Sequence, residues 1–194
     1  IEREKLYSFF TDSNGDSESE QDRHEKELSI DVFNAMKEWY HYGITQLLYI
    51  DSFKEDHKWI AKMLSITELE AKMAIDRLLR LGIIDRNEEG KLFRTATHLS
   101  TSTDIASAGI RHFQKQILEK SIESLERDDL LERDITSITI AINEDRIPEA
   151  KKEIMRFRKK MAEFLAEGEK TRVYNLGVHL IPLSKSIIGE THEN

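Results

Sequence analysis

FKEDHKWIAKMLSITELEAKMAIDRLLRLGIIDRNEEGKLFRT, residues 53–95, decides the fold. Trp59, Ile60, Met63 and Leu64 recur at helical spacing, which predicts a helix over 53–64 with that face turned inward. Ser65-Ile66-Thr67 makes the turn. Thr67 and Glu70 have the capping-box spacing, in which each side chain satisfies an orphan backbone donor and so fixes a helix start. Ala71, Ala74, Ile75, Leu78 and Leu81 then predict a second helix over 68–81, and Gly82 suits its C-terminal cap. Ile83-Ile84 and Leu92-Phe93 predict two short strands turning through 87–90. Helix, turn, helix and hairpin in that order make the winged helix-turn-helix pattern.

The outward face of the second helix carries Glu68, Lys72, Met73, Asp76 and Arg77, with Arg80 nearer the hairpin. Lys72 and Arg77 have the chemistry to reach phosphates or guanine edges in a major groove. Arg86, Lys91 and Arg94 flank the wing, whose tip is Glu88-Glu89. If the unit binds DNA, Lys72, Arg77, Arg80, Arg86, Lys91 and Arg94 are the expected contacts. A dedicated DNA-reading surface is more one-sidedly basic than this. A winged helix used for self-association or partner docking is therefore the alternative.

On the N-terminal side, residues 1–10 contain Leu6, Phe9 and Phe10 as an amphipathic lead-in, and 11–27 contain no apolar residue. A stretch rich in Asp, Glu and Ser buries too little surface to offset the entropy of ordering, so 1–29 are expected to end in a solvated acidic linker. Ser29 is positioned to cap a helix running to about Ile50, with Val32, Met36, Trp39, Tyr40, Ile44, Leu47 and Leu48 on its buried face. Trp39, Tyr40, His41 and Tyr42 are expected to pack rather than bind a ligand.

On the C-terminal side, residues 98–104 are a polar connector, and 105–125 predict a long helix burying Ile110, Phe113, Ile117, Ile122 and Leu125. Ile138, Ile140 and Ile142 alternate on one face of a strand over 135–142. Pro148 opens a helix over 147–166 whose outer face holds Lys151, Lys152, Arg156, Arg158, Lys159 and Lys160, either a solvated face or an anion patch. Residues 171–183 predict another strand. A β-α-β module at 135–183 would place Asn143, Arg146, Arg172, Tyr174 and Asn175 near its strand ends as candidate ligand-binding residues beside an apolar wall. The domains expected are an N-terminal segment and linker (1–29), a winged helix (30–97), a long helix with an α/β dimerisation or sensor module (98–185), and a tail (186–194). The fold class is α+β, mainly helical.

Composition narrows the chemistry. The 194 residues contain no cysteine, which removes disulfides, thiolate metal sites and Cys nucleophiles. The net charge of −8 argues against indiscriminate coating of nucleic acid. That charge is uneven: residues 1–30 hold nine acids and four bases, whereas 54–95 hold eight acids and nine bases. No phosphate-cradling Gly-rich loop, HExxH or G-x-S-x-G elbow is present, and His41, His57, His112 and His179 lack local metal-ligand spacing. No catalytic residue, cofactor or metal is expected, nor a membrane span. The expected partners are DNA, a second copy and a small-molecule effector, and the expected location is the cytoplasm.

WYHYGITQLL (39–48), FKEDHKWIAKML (53–64), AIDRLLRLGIID (74–85) and RVYNLGVHLIPLSK (172–185) together resemble an uncharacterised bacterial winged-helix regulator family, expanded as paralogues in Fibrobacter and Bdellovibrio. The resemblance covers about residues 30–185. It implies a transcriptional regulator, with a separate helix-turn-helix lying ahead of this region and residues 1–10 as its trailing edge. It supplies no ligand or catalytic residue. Two functions stay open: a winged helix that binds DNA and dimerises beside a sensing module, or a self-association module of a regulator whose DNA reader is that separate helix-turn-helix.

Overall fold

The computed structural model describes residues 30–96 and 103–186. The acidic linker expected before Ile30, much of the expected connector at 98–104, and the tail after Ser186 lie outside the described residues. The described chain is mainly helical with one two-stranded antiparallel sheet, in keeping with the α+β class. A helical segment over residues 30–37 leads into α1 (Trp39–Leu47), α2 (His57–Leu64) and α3 (Glu68–Arg80). Then follow β1 (Ile84–Arg86), β2 (Leu92–Arg94), α4 (Thr103–Arg127), a 3-10 turn (Glu144–Arg146) and α5 (Ile147–Leu165).

Local chemistry sets the boundaries of the central helices. Asp56 caps α2 by accepting from the Lys58 N–H at 2.9 Å, so this helix begins after Asp56 instead of at Phe53. Ser65 ends it in the left-handed region at φ 53°. The capping box is present as read: the Thr67 hydroxyl accepts from the Glu70 N–H at 3.1 Å, and the Glu70 carboxylate accepts from the Thr67 N–H at 2.8 Å. After α3, Gly82 adopts φ +64°. The Ile83 and Gly82 N–H groups then donate to the Leu78 and Leu79 carbonyls, each at 3.0 Å, closing the helix end.

The hairpin pairs Ile84 with Arg94, Asp85 with Phe93 and Arg86 with Leu92. Its turn is fixed by Asn87, whose side-chain oxygen accepts from the N–H groups of Glu89 (3.1 Å) and Lys91 (2.9 Å). Ile44, Ile60, Leu78 and Ile84, one each from α1, α2, α3 and β1, are at most 2% exposed and meet in a single core. Each such side chain contributes about 1.5–3 kcal/mol.

The helix expected from Ser29 to Ile50 is broken at Glu38, which is extended (φ −91°, ψ 119°). Gln116 of α4 supports the break. Its side-chain oxygen accepts from the Trp39 N–H at 2.9 Å, and its amide donates to the Glu38 carboxylate at 2.8 Å. A side chain inserted in this way takes the place of the lost helical acceptor. α4 makes two further contacts beside it, Phe113 against Tyr42 (ring centroids 4.6 Å) and the Lys120 ammonium 4.0 Å from the Trp39 ring centre. Trp39, Tyr40 and Tyr42 therefore pack, as their spacing suggests. A Cβ at Gly109 would lie 3.2 Å from the Met36 Cβ, so the missing side chain lets α4 approach closely.

Two further expectations need correction. Of the α4 residues expected to be buried, only Ile117 is, while Ile110, Ile122 and Leu125 are 46%, 62% and 48% exposed. The β-α-β module has its helix but no strand ladder: 133–143 and 169–182 contain no helix, turn, bend or paired strand. Period-2 alternation in these segments specifies a pleated face, but a ladder also needs a backbone partner, and neither segment has one among the described residues. No helix among the described residues is long and apolar enough to cross a membrane.

Candidate functional site

The six cations expected as DNA contacts divide into two groups. Arg77 is turned inward: its side chain is 12% exposed, and its Nε donates to Asp31 Oδ1 at 3.0 Å. Arg80 binds the other oxygen of the same carboxylate at 2.8 Å. Arg86 is ion-paired to Glu55 and donates to the Gly90 carbonyl at 2.6 Å. Lys91 pairs with Glu89 at 2.8 Å. Lys72 on α3 and Arg94 on β2 are exposed and have no ion-pair partner among the described residues. Lys58 and Lys62, one turn apart on α2, are also exposed and unpaired. Their four-residue spacing was the signal by which a reading centred on α3 could have found them.

Behind this surface lies a cluster that the sequence did not disclose. Arg77 Nη1 is 3.1 Å from His41 Nε2, and His41 Nδ1 is 3.2 Å from the Glu38 carbonyl. A guanidinium can only donate, so Nε2 is the acceptor and the proton sits on Nδ1. Burial holds the imidazole neutral, bringing its pKa from the usual 6.5 down to about 4; the neighbouring Arg77 charge acts in the same direction. At Glu38, burial raises the carboxyl pKa, but the Gln116 amide and Lys37 outweigh it and the net shift is downward. The available hint was the place of Arg77 three residues after Ala74 and four before Leu81, on the flank of the apolar stripe.

The C-terminal candidates are only partly brought together. Asn143 and Arg146 line an open groove of about 380 Å³, whose apolar wall includes Ile140, Ile142, Ile147 and Leu180. Arg146 is also bridged to Glu149 at 2.7 Å. Arg172, Tyr174 and Asn175 do not line it. Arg172 instead binds Glu132 at 3.0 Å and lies 5.4 Å from the Tyr174 ring centre. On α5, Arg156 pairs with Glu153 and Lys159 with Glu163 (3.9 Å), leaving Lys151, Lys152, Arg158 and Lys160 unpaired among the described residues. No group of three or more His, Asp or Glu residues suited to a metal ion occurs among the described residues.

No curated protein and no solved structure matches the chain. A family model described as a domain of unknown function (DUF4423) matches residues 19–183, most of its length. The chain belongs to the DUF4423 family.

Proposed function

We propose that the chain is part of a transcriptional regulator in which α2, α3 and the β1–β2 hairpin form a winged helix that binds DNA. The observation that carries this reading is the continuous unit α2–turn–α3–hairpin around one core, with Lys58, Lys62, Lys72 and Arg94 exposed and unpaired on it. Arg77, Arg80, Arg86 and Lys91 are bound within the chain and would have to exchange a carboxylate for a phosphate. In this reading Lys72 and Arg94 are the primary contacts. The groove beside Asn143 and Arg146 is the proposed place for a small effector.

Titration of a labelled duplex at low salt tests the proposal. Each of Lys72→Glu and Arg94→Glu is expected to weaken binding and to reduce the slope of log affinity against log salt by about one. No binding by the unaltered chain at low ionic strength rejects it.

The second reading is a self-association module serving a separate DNA reader. It is favoured by the fact that four of the six expected cations are already in ion pairs within the chain. Under it, charge reversal at Lys72 weakens assembly, whereas assembly is unchanged if Lys72 faces DNA.

A further inference from the structure

From Leu118 to Ser186 no residue is buried. Ordering the backbone costs roughly 1–2 kcal/mol per residue, and burial is the main term that offsets it. Yet this stretch is far from polar. Fourteen large apolar side chains between 135 and 183 are at least 37% exposed, including Ile138 at 81% and Ile140 at 60%. Spread over both segments and α5, they leave apolar surface comparable to the roughly 800 Å² that each partner contributes to a stable interface.

The backbone is open as well. Residues 134–142 and 169–185 make no backbone-to-backbone hydrogen bond among the described residues. Two side-chain contacts tie them at corresponding ends, Arg172–Glu132 (3.0 Å) and Ser186–Glu144 (3.2 Å). Proteins usually blunt a free strand edge with Lys, Pro or inward-pointing charge. Ile135–Ile142, ITSITIAI, has none of these devices, and six of its eight residues are β-branched. The stretch 169–185 contains Gly177 and Pro182 and is less suited to ladder formation.

We propose that a second copy of this chain completes the module, with Ile135–Ile142 of the two copies paired antiparallel about a two-fold axis at Thr139. The occupant follows from the segment itself. Electrostatic complementarity selects unlike partners, and a segment with no charge offers none to select and none to repel its own copy. Centred on Thr139, the pairing sets Ile138 opposite Ile140 of the partner subunit and Ser137 opposite the partner's Ala141. Ile138, Ile140 and Ile142 then share one face, the face on which Ile140 and Ile142 already line the groove with Ile147 of α5. A two-fold pairing repeats the same contacts on both copies, the commonest arrangement of soluble oligomers. The inference rests on the self-association offered above and not on DNA binding.

Sedimentation of the full chain over a concentration series is expected to show a dimer. Thr139→Pro removes a ladder donor at the axis, and Ile140→Glu buries a carboxylate; each is expected to weaken the dimer by on the order of 100-fold or more. Unchanged Trp39 and Trp59 emission in the variants shows that the helical core stays folded. In the proposed register, mixing Ile138→Lys with Ile140→Glu sets the new charges opposite one another and restores a heterodimer. A wild-type monomer at all concentrations, a dimer indifferent to both single variants, or a mixture that stays monomeric overturns the inference. Duplex binding measured on the same samples keeps the tests apart: a dimer that ignores DNA rejects the DNA-binding reading alone, and a monomer that binds DNA rejects this inference alone.

Discussion

His41 shows how one buried ring couples acidity to the fold. Its folded pKa, about 4, lies below the ordinary 6.5, so the unfolded chain takes up the proton first as pH falls. The stability associated with the neutral imidazole is full above the ordinary value and is lost as pH drops from about 6.5 towards 4, at up to about 1.4 kcal/mol per pH unit. Urea unfolding across that window should therefore give a steeper acid decline for the wild type than for His41→Gln. Parallel curves would show that carboxylates alone govern the decline. Gly82 offers a second test at this scale. Its φ of +64° disfavours any Cβ, but nothing lies within 4 Å of where one would be built. Gly82→Ala should cost only the left-handed backbone penalty, about 1 kcal/mol in denaturant titration, and a much larger loss would point to a clash.

At the scale of the element, the break between residues 30–37 and α1 depends on a residue 77 positions away, Gln116. Gln116→Leu removes both hydrogen bonds of the amide and leaves the Trp39 N–H without its acceptor, while the Glu38 carboxylate keeps Lys37 at 3.3 Å. The expected loss is about 1–3 kcal/mol, read from thermal unfolding together with the emission of Trp39. No loss would mean that the two helices join into one when the glutamine is gone. This dependence also explains why the break was not legible: the apolar spacing from Val32 to Leu48 is continuous, and helical periodicity carries no information about a long-range amide. The second helix and its ends were legible because the capping box and Gly82 act locally.

For the whole molecule, burial is sharply divided. Among the described residues, the buried ones lie between Val32 and Leu92 and on α4 as far as Ile117, and Val173 packs against the main core from the C-terminal part. Amide exchange should therefore be slowest around Ile44, Ile60, Leu78 and Ile84 and independent of protein concentration. Protection of 135–142 should rise with concentration, as mass action requires of an element completed by another copy. Concentration-independent protection there would mean that the ladder forms within one chain. The alternation of Ile138, Ile140 and Ile142 was readable in the sequence, but the backbone that pairs with them was not, because a face pattern names no partner. Lys72 and Arg94 are exposed as expected, whereas the engagement of Arg77 and Arg80 required knowing where Asp31 lies.

Asp31 offers one oxygen to Arg77 and the other to Arg80, at 3.0 and 2.8 Å. Two oxygens on one anionic centre, held by two guanidinium groups, form the same constellation that a phosphodiester would present to them. The helical segment at 30–37 is thus tethered to α3 by a built-in competitor for any anion approaching those arginines. An anion that displaced Asp31 would leave the segment held by its buried residues Val32, Ala35 and Met36.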